Sequence, residues 1–573
     1  MHHVRTLLAI PVALYVVALV VRLFFLSLFP NPAYPDSYYY VDVANALRAG
    51  QGFNIDFIWV FVDVGGWLPA NPQLPIPSNA HWMPLASIVQ LPFLALFGSN
   101  GFAAGLPFAL IGSLAAPLTF LIARDAGAGR SIQIGAGLLT AVPAASLVFM
   151  TQPDNFSLFQ PLVAGALWLT ARGLKGDSRS FAAAGLLVGL ATLSRNDGVL
   201  VGAAIGLLFL WNRWRSRRGT QPGLAPRIPW KAAFACAGLF LLVMSPWWLR
   251  QLAVFGSLSP SSASGRILFI RSMADMNSVA SDVSLGTFLS QGIGPLMQSR
   301  VLGFTAAIGI FAVIVGSVFL FPLMLVGGWL RRRSIDVRPF FVYAALLFAF
   351  SAIVSAIHVP GGTFIHSAVA LAPHAYILAL EAVVALVAWT ARRRPAWREA
   401  SAARVFVGAT VALTMATSLI YGLVVVGGWN AVKVQRQAVA GALTAAGAAP
   451  TDRVMSIDAG GYRYWTGRGG VVTPDDPIET IETVARAYEI RWLVLERREI
   501  VRAMVDVLGG ERPAWIGAPV FRLDAPPNPN DEINAIASPE TTVEYPAVAL
   551  YPVCFSTTDV RCSQTAAIGG VGS

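Results

Sequence analysis

Apolar residues along most of this chain run in unbroken blocks of about 20 positions rather than alternating with polar ones, and arginine gathers in the short gaps between them. Blocks at 7–29, 102–123, 232–248, 301–330 and 405–426 are long enough to cross about 30 Å of hydrocarbon as helices. Further blocks at 132–150, 181–193, 198–211, 340–357 and 367–390, with one returning to 172–179, bring the expected total to about eleven transmembrane helices. The apolar stretch 84–97 is short for a span and is expected as a half-buried or re-entrant helix leading into 102–123. The first block runs past the length of a signal-peptide core and lacks a small-x-small cleavage pattern before Pro30, so a retained signal anchor is expected.

After Gly428 the pattern changes. A helix is expected at 432–446, buried strands at 453–457 and 492–495, and a helix at 478–488 between them. The expected organisation is therefore a membrane domain, 1–428, with large outer loops at 30–83 and 249–300, a small extracytoplasmic α/β domain at 429–525, and a loosely ordered tail at 526–573, rich in Pro, Asn, Ser and Thr.

Composition strengthens the membrane reading. At 55% hydrophobic and 12% charged, with mean hydropathy +0.62, the chain is excluded from the water-soluble globular class. The net charge of +11 does not point to nucleic acid, because the arginines sit between apolar blocks, at 213–218, 331–333 and 392–394, where the positive-inside rule places cytoplasmic loops. That rule sets the N-terminus inside and the C-terminal domain outside, in a plasma membrane. Cys236 falls in an apolar block as a small hydrophobe; Cys554 and Cys562 fall in the polar tail, where pairing requires an oxidising compartment.

Ionisable residues at the membrane border are costly to keep and mark candidate chemistry. On the outer side these are Asp36, Asp42, Asp56, Asp63, His81 and Asp154, then Arg195, Asp197, Arg250, Arg266, Arg271, His358 and His366. A carboxylate there can act as a general base toward a hydroxyl, and arginine or histidine can hold a phosphate leaving group. No His-x-x-x-His or Cys-x-x-Cys spacing, Walker loop or Gly-x-Gly-x-x-Gly fingerprint occurs, which argues against nucleotide-driven transport.

The first outer loop reads Tyr34-Pro35-Asp36-Ser37-Tyr38-Tyr39-Tyr40, with Ala44, Leu47, Gly50 and Gly52 following, and later Ala80-His81-Trp82-Met83-Pro84-Leu85. Further on come Leu193-Ser194-Arg195-Asn196-Asp197-Gly198 and Pro246-Trp247-Trp248-Leu249-Arg250 with Phe255-Gly256. In this order the elements resemble the multispanning lipid-linked glycosyltransferases of the C-type fold, in particular the branch of protein O-mannosyltransferases and aminoarabinose transferases. The matching regions cover roughly the first half of the chain, with weaker echoes at Thr466-Gly467-Arg468 and Leu493-Val494-Leu495-Glu496.

The resemblance implies transfer of a sugar from a polyprenyl-phosphate donor to a glycan, lipid or protein acceptor on the outer side of the membrane. Asp36 becomes the base or acceptor-orienting carboxylate; read from the residues alone it equally serves as a cap on a helix beginning near Tyr38. Relatives place at the position of Asp154 a carboxylate that assists the site or a metal, so a divalent metal ion is the one candidate cofactor; helix capping is the alternative. His81 is either a substrate contact or an interfacial histidine beside Trp82. Arg250, Arg266 and Arg271 are phosphate candidates or headgroup-binding arginines. His358 and His366 flank a Pro-Gly-Gly-Thr turn and line the cavity or are structural, and Arg195 and Asp197 are expected to pair and lock a corner. A transporter or lipid flippase using the same outer cavity, or an assembly scaffold, are the competing readings.

Overall fold

The computed structural model describes residues 2–217, 226–354, 363–394, 396–524, 545–556 and 559–563. The chain divides into two compact units, one of Met1–Pro32, Trp82–Ala253 and Ile293–Val425, the other of Ala33–His81, Val254–Gly292 and Val426–Ser573.

The first unit is helical. Among the described residues six helices are long and apolar enough to cross a membrane: Ala9–Leu28, Gly101–Asp125, Trp230–Phe255, Ile293–Val315, Phe364–Ala391 and Glu399–Ala445, the last running on into the second unit. Shorter apolar helices occupy Leu85–Phe97, Ser178–Ser194, Leu320–Arg331 and Arg338–Val354. On the first helix Val12, Val16, Val20 and Phe24 form an exposed apolar stripe at four-residue spacing, while Leu14, Ala18 and Phe25 are buried. Only a lipid solvent makes such a stripe inexpensive. Small residues set the helix packing: a Cβ on Gly185 would stand 1.9 Å from the Cys236 carbonyl oxygen, and one on Gly327 the same distance from that of Leu378.

Two expected spans are corrected. The block 132–150 is helical only over Arg130–Ala141, because Pro143 forces Val142 out of the helical region (φ −126°, ψ 73°). The block 301–330 is not one helix: a π-helical turn at Phe311–Val315 and positive φ at Ser317 and Val318 separate Ile293–Ile310 from Leu320–Arg331. The block 405–426 and the helix expected at 432–446 are instead one continuous helix, Glu399–Ala445.

The second unit is built on strands β1 (Asn54–Ile55), β2 (Phe57–Ile58), β3 (Ile76–Pro77), β4 (Arg453–Ser456), β5 (Gly470–Val472), β6 (Ile490–Glu496), β7 (Phe521–Leu523) and β8 (Val548–Pro552). β1 and β3 form a small antiparallel pair; the others form one sheet in the order β2-β5-β4-β6-β8-β7. Its first four strands are parallel and its last two antiparallel. One face carries Met455, Val471 and Leu493 against the helix Ile478–Ala487; the other carries Val454, Trp492 and Val494 against Val439 and Leu443. Both expected strands and the helix between them are present.

Two boundaries move. The outer loops belong with this unit rather than with the membrane domain, because β2 from the first pairs with β5, and Ser278 and Val279 from the second hydrogen-bond to Asp476. Their helical ends also move: the helix Trp230–Phe255 continues past 249 and the next begins at Ile293. The tail is not uniformly loose, since its apolar run 548–552 is the fully buried strand β8 and Cys554 is joined to Cys562 by a disulfide.

Candidate active site

In the first unit a buried carboxylate and an imidazole meet. After Pro143 the chain proceeds through 3-10 turns at Ala144–Ser146 and Phe149–Thr151 to the segment Gln152-Pro153-Asp154-Asn155, and the helix Phe156–Leu174 follows. Asp154 is completely buried; its Oδ1 accepts from the Asn155 backbone N–H at 2.5 Å. The residue that opens the helix is Asn155, so Asp154 is not its cap. His366, from the short helix Thr363–Ala368, brings its Nε2 to 3.2 Å from Asp154 Oδ2 and stacks its ring on Phe156 at 4.3 Å.

The corner between the helices Ser178–Ser194 and Val199–Arg217 lies alongside. Arg195 Nε is 2.9 Å from Asp197 Oδ1 and 3.1 Å from Ser367 Oγ, and Ser367 donates to Asp197 Oδ2. Ser194 Oγ donates to Asn155 Oδ1 at 3.3 Å. The expected Arg195–Asp197 pair is therefore present. In the same unit Arg250 is half-buried with its guanidinium 5.1 Å from the Trp247 ring centre. Within this unit Asp154 and His366 offer two ligand atoms that a divalent cation could use.

In the second unit Asp36 stands in the first turn of the helix Pro35–Arg48, half-buried. The helix begins at Pro35 and not at Tyr38. Ser37 Oγ accepts from the backbone N–H groups of Ala33 and Tyr34, and Asp36, in the first turn, stands in the favourable field of the helix N-terminus. The three tyrosines that follow are buried and fix the helix: Trp465 Nε1 donates to Tyr38 Oη at 3.2 Å, and Tyr39 Oη accepts from the Asn79 backbone at 2.6 Å. His81 is half-buried; the preceding Ala80 carbonyl accepts from Ser261 N and Ser264 Oγ.

The remaining sequence candidates separate. Arg266 donates to the Gly65 carbonyl at 3.0 Å and lies 4.2 Å over the Trp67 ring. Arg271 is committed to Asp275 through two side-chain contacts of 3.1 Å, which weakens its candidacy for phosphate. Burial pushes the Asp275 carboxyl up, but the Arg271 hydrogen bonds and charge outweigh it and leave the pKa lowered. Asp42 and Asp56 share Arg463, at 3.8 and 3.5 Å. Burial, reinforced by Asp56 and opposed by Arg463, raises Asp42 to about 6. His358 lies outside the described residues.

One centre was missed. Arg436, on the long helix and almost fully buried, reaches Asp458 at 2.7 Å and Glu496 at 3.7 Å, and Tyr462 donates to Glu496 at 2.7 Å. The available signal was an acidic residue closing each of the two apolar runs that became β4 and β6.

Comparison with known proteins gives the fold. Residues 81–249 match the model of a family described as dolichyl-phosphate-mannose-protein mannosyltransferase. No curated protein matches the chain by sequence. Among solved structures it is similar to ArnT from Cupriavidus metallidurans bound to undecaprenyl phosphate, at 13% identity and TM-score 0.55, over 94% of this chain and 97% of that one. The apo state of the same protein gives 14% and 0.56 over the same shares. The archaeal oligosaccharyltransferase AglB from Archaeoglobus fulgidus, in complex with an inhibitory peptide and a dolichol-phosphate, gives 16% and 0.52 over 89% of this chain and 72% of that one.

Proposed function

We propose that this multi-pass chain, which has the C-type glycosyltransferase fold and resembles the protein O-mannosyltransferase and aminoarabinose transferase kind, transfers a sugar from a polyprenyl-phosphate donor to an acceptor at the extracytoplasmic face. The observation that carries the reading is the fold likeness over nearly the whole of both chains to a protein that binds undecaprenyl phosphate. In the reaction the acceptor oxygen bonds to the sugar's anomeric carbon as that carbon's bond to the phosphate oxygen breaks. The acceptor proton passes to Asp36, and polyprenyl phosphate departs with its charge held by cationic groups.

Asp36 is the base or acceptor-orienting carboxylate and Asp154 the second carboxylate, with His366 beside it. Arg250, Arg266 and His81 are assigned to substrate, and Arg271 ranks below them because Asp275 already engages it. The N-terminus is assigned to the cytoplasm and the second unit to the outside. The arginine clusters in the gaps between apolar blocks support this orientation, as does the Cys554–Cys562 disulfide, which belongs in an oxidising compartment. Nothing in the comparisons favours the transporter alternative.

The test is transfer of labelled sugar from a panel of polyprenyl-phosphate monosaccharides by purified protein in lipid, beside Asp36→Asn. Release of polyprenyl phosphate that falls by 100-fold or more, at about two decades or about 2.7 kcal/mol of lost transition-state stabilisation, is expected for the variant. Full activity of a normally inserted Asp36→Asn protein refutes the assignment.

A further inference from the structure

The buried Asp154–His366 pair is supplied by two segments far apart in the chain. Asp154 lies in an irregular turn just before the helix Phe156–Leu174, and His366 lies near the start of the helical span Phe364–Ala391, so a different helix carries each. Their separation of 3.2 Å depends on how the two segments are held against each other. The 194–197 corner touches the immediate sequence neighbour of each: Ser194 hydrogen-bonds to Asn155, next to Asp154, and Asp197 accepts from Ser367, next to His366. Arg195 binds both Asp197 and Ser367.

The corner is closely packed. It joins two long helices, and a Cβ on Gly198 would stand 2.7 Å from the backbone of Ala191 and Thr192, so the turn is pressed against the last turn of the preceding helix. Ser194, Asn155 and Ser367 are at most 1% exposed, and Arg195 and Asp197 are 8% and 6% exposed. In so dry a setting these hydrogen bonds are stronger than at a surface, and losing one partner is expensive.

We propose that the corner is a positioning clamp for the Asp154–His366 pair, with Ser367 and Ser194 as its two jaws and Asp197 as the residue that holds the first. The proposal rests on the functional reading given above for Asp154 and His366. It differs from a merely structural ion pair in what it requires: each jaw must matter to the rate of the chemical step, because displacement of a reacting group by about 1 Å costs up to about 100-fold.

The experiment compares Ser367→Ala and Ser194→Ala with the parent protein. Each substitution removes one oxygen, leaves the Arg195–Asp197 pair in place and creates little void. Expected is a 10- to 100-fold fall in kcat (about 10- to 100-fold by the same geometric argument) with KM for donor changed less than about twofold. Carbethoxylation of His366 by diethyl pyrocarbonate, followed by peptide mass spectrometry, is expected to run several-fold faster in Ser367→Ala. Unchanged kcat per folded molecule, or a loss confined to melting temperature, overturns the clamp, as does an unchanged His366 labelling rate. If the parent protein turns over no donor, the functional reading fails while the labelling rate still decides whether the corner holds His366.

Discussion

Asp63 lies in the 3-10 turn Phe61–Val64 of the second unit, 6% exposed, and its Oδ1 meets no hydrogen-bond donor among the described residues. Burial raises its pKa from 3.8 to about 7, against a hydrogen bond from the Trp59 side chain that lowers it. For an acid raised in this way the folded protein holds a proton that the unfolded chain has already released. Below about pH 3.8 both states are protonated and the group contributes nothing. As pH rises toward 7 the unfolded state is progressively favoured, and above 7 the penalty is constant. The interval from 3.8 to about 7, at about 1.36 kcal/mol per pH unit, sets that penalty near its ceiling of about 4 kcal/mol. Asp63→Asn keeps an acceptor for Trp59 and has no proton to release, so it stabilises the protein by up to about 4 kcal/mol at pH 8 and by almost nothing at pH 4. Thermal unfolding in detergent, followed by tryptophan fluorescence at both pH values, reads the difference as a melting-temperature gain at pH 8 alone. A gain of equal size at both pH values, or a loss at pH 8, refutes the reasoning.

Two further perturbations test the architecture of the second unit. Gly470 lies between β2 and β4, and a Cβ there would stand 1.8 Å from the Val454 carbonyl oxygen; Gly470→Ala is expected to cost at least about 3 kcal/mol, read as a lower melting temperature. Asp476 accepts from Ser278 Oγ at 2.5 Å and from Val279 N at 2.7 Å; Asp476→Ala removes two charge-assisted hydrogen bonds worth about 1.5–3 kcal/mol each and is expected to expose the 256–292 segment to limited proteolysis, with an unchanged cleavage pattern counting against the anchoring role.

What the sequence made legible follows from the range of each interaction. Unbroken apolar blocks report burial in lipid directly, which is why the helical membrane core and the strands at 453–456 and 490–496 could be read in advance. The breaks at Val142 and at Ser317–Val318 were not read. The first has a local cause in Pro143 and the second in the Gly316-Ser317 pair, and the surrounding apolar run obscured both. Strand β2 is two residues long, and β8 lies beyond a stretch of Pro, Asn, Ser and Thr, so composition hid both, and only pairing with β5 and β6 makes them strands.

The site divides along the same line. Asp36, Asp154 and His366 were flagged because a charge near a membrane border is conspicuous in one dimension. The same reasoning should have reached Arg22, which is fully buried within the first span and donates to the carbonyls of Ala141 and Thr140, where the helix Arg130–Ala141 ends before Pro143. A guanidinium there meets carbonyls that have no partner in their own helix, at the end where the helix dipole favours a cation. Arg22 and Pro143 are thus two halves of one feature, 121 positions apart in the chain. The break that proline makes is what gives a buried arginine its place, and the irregular path it opens ends at Asp154.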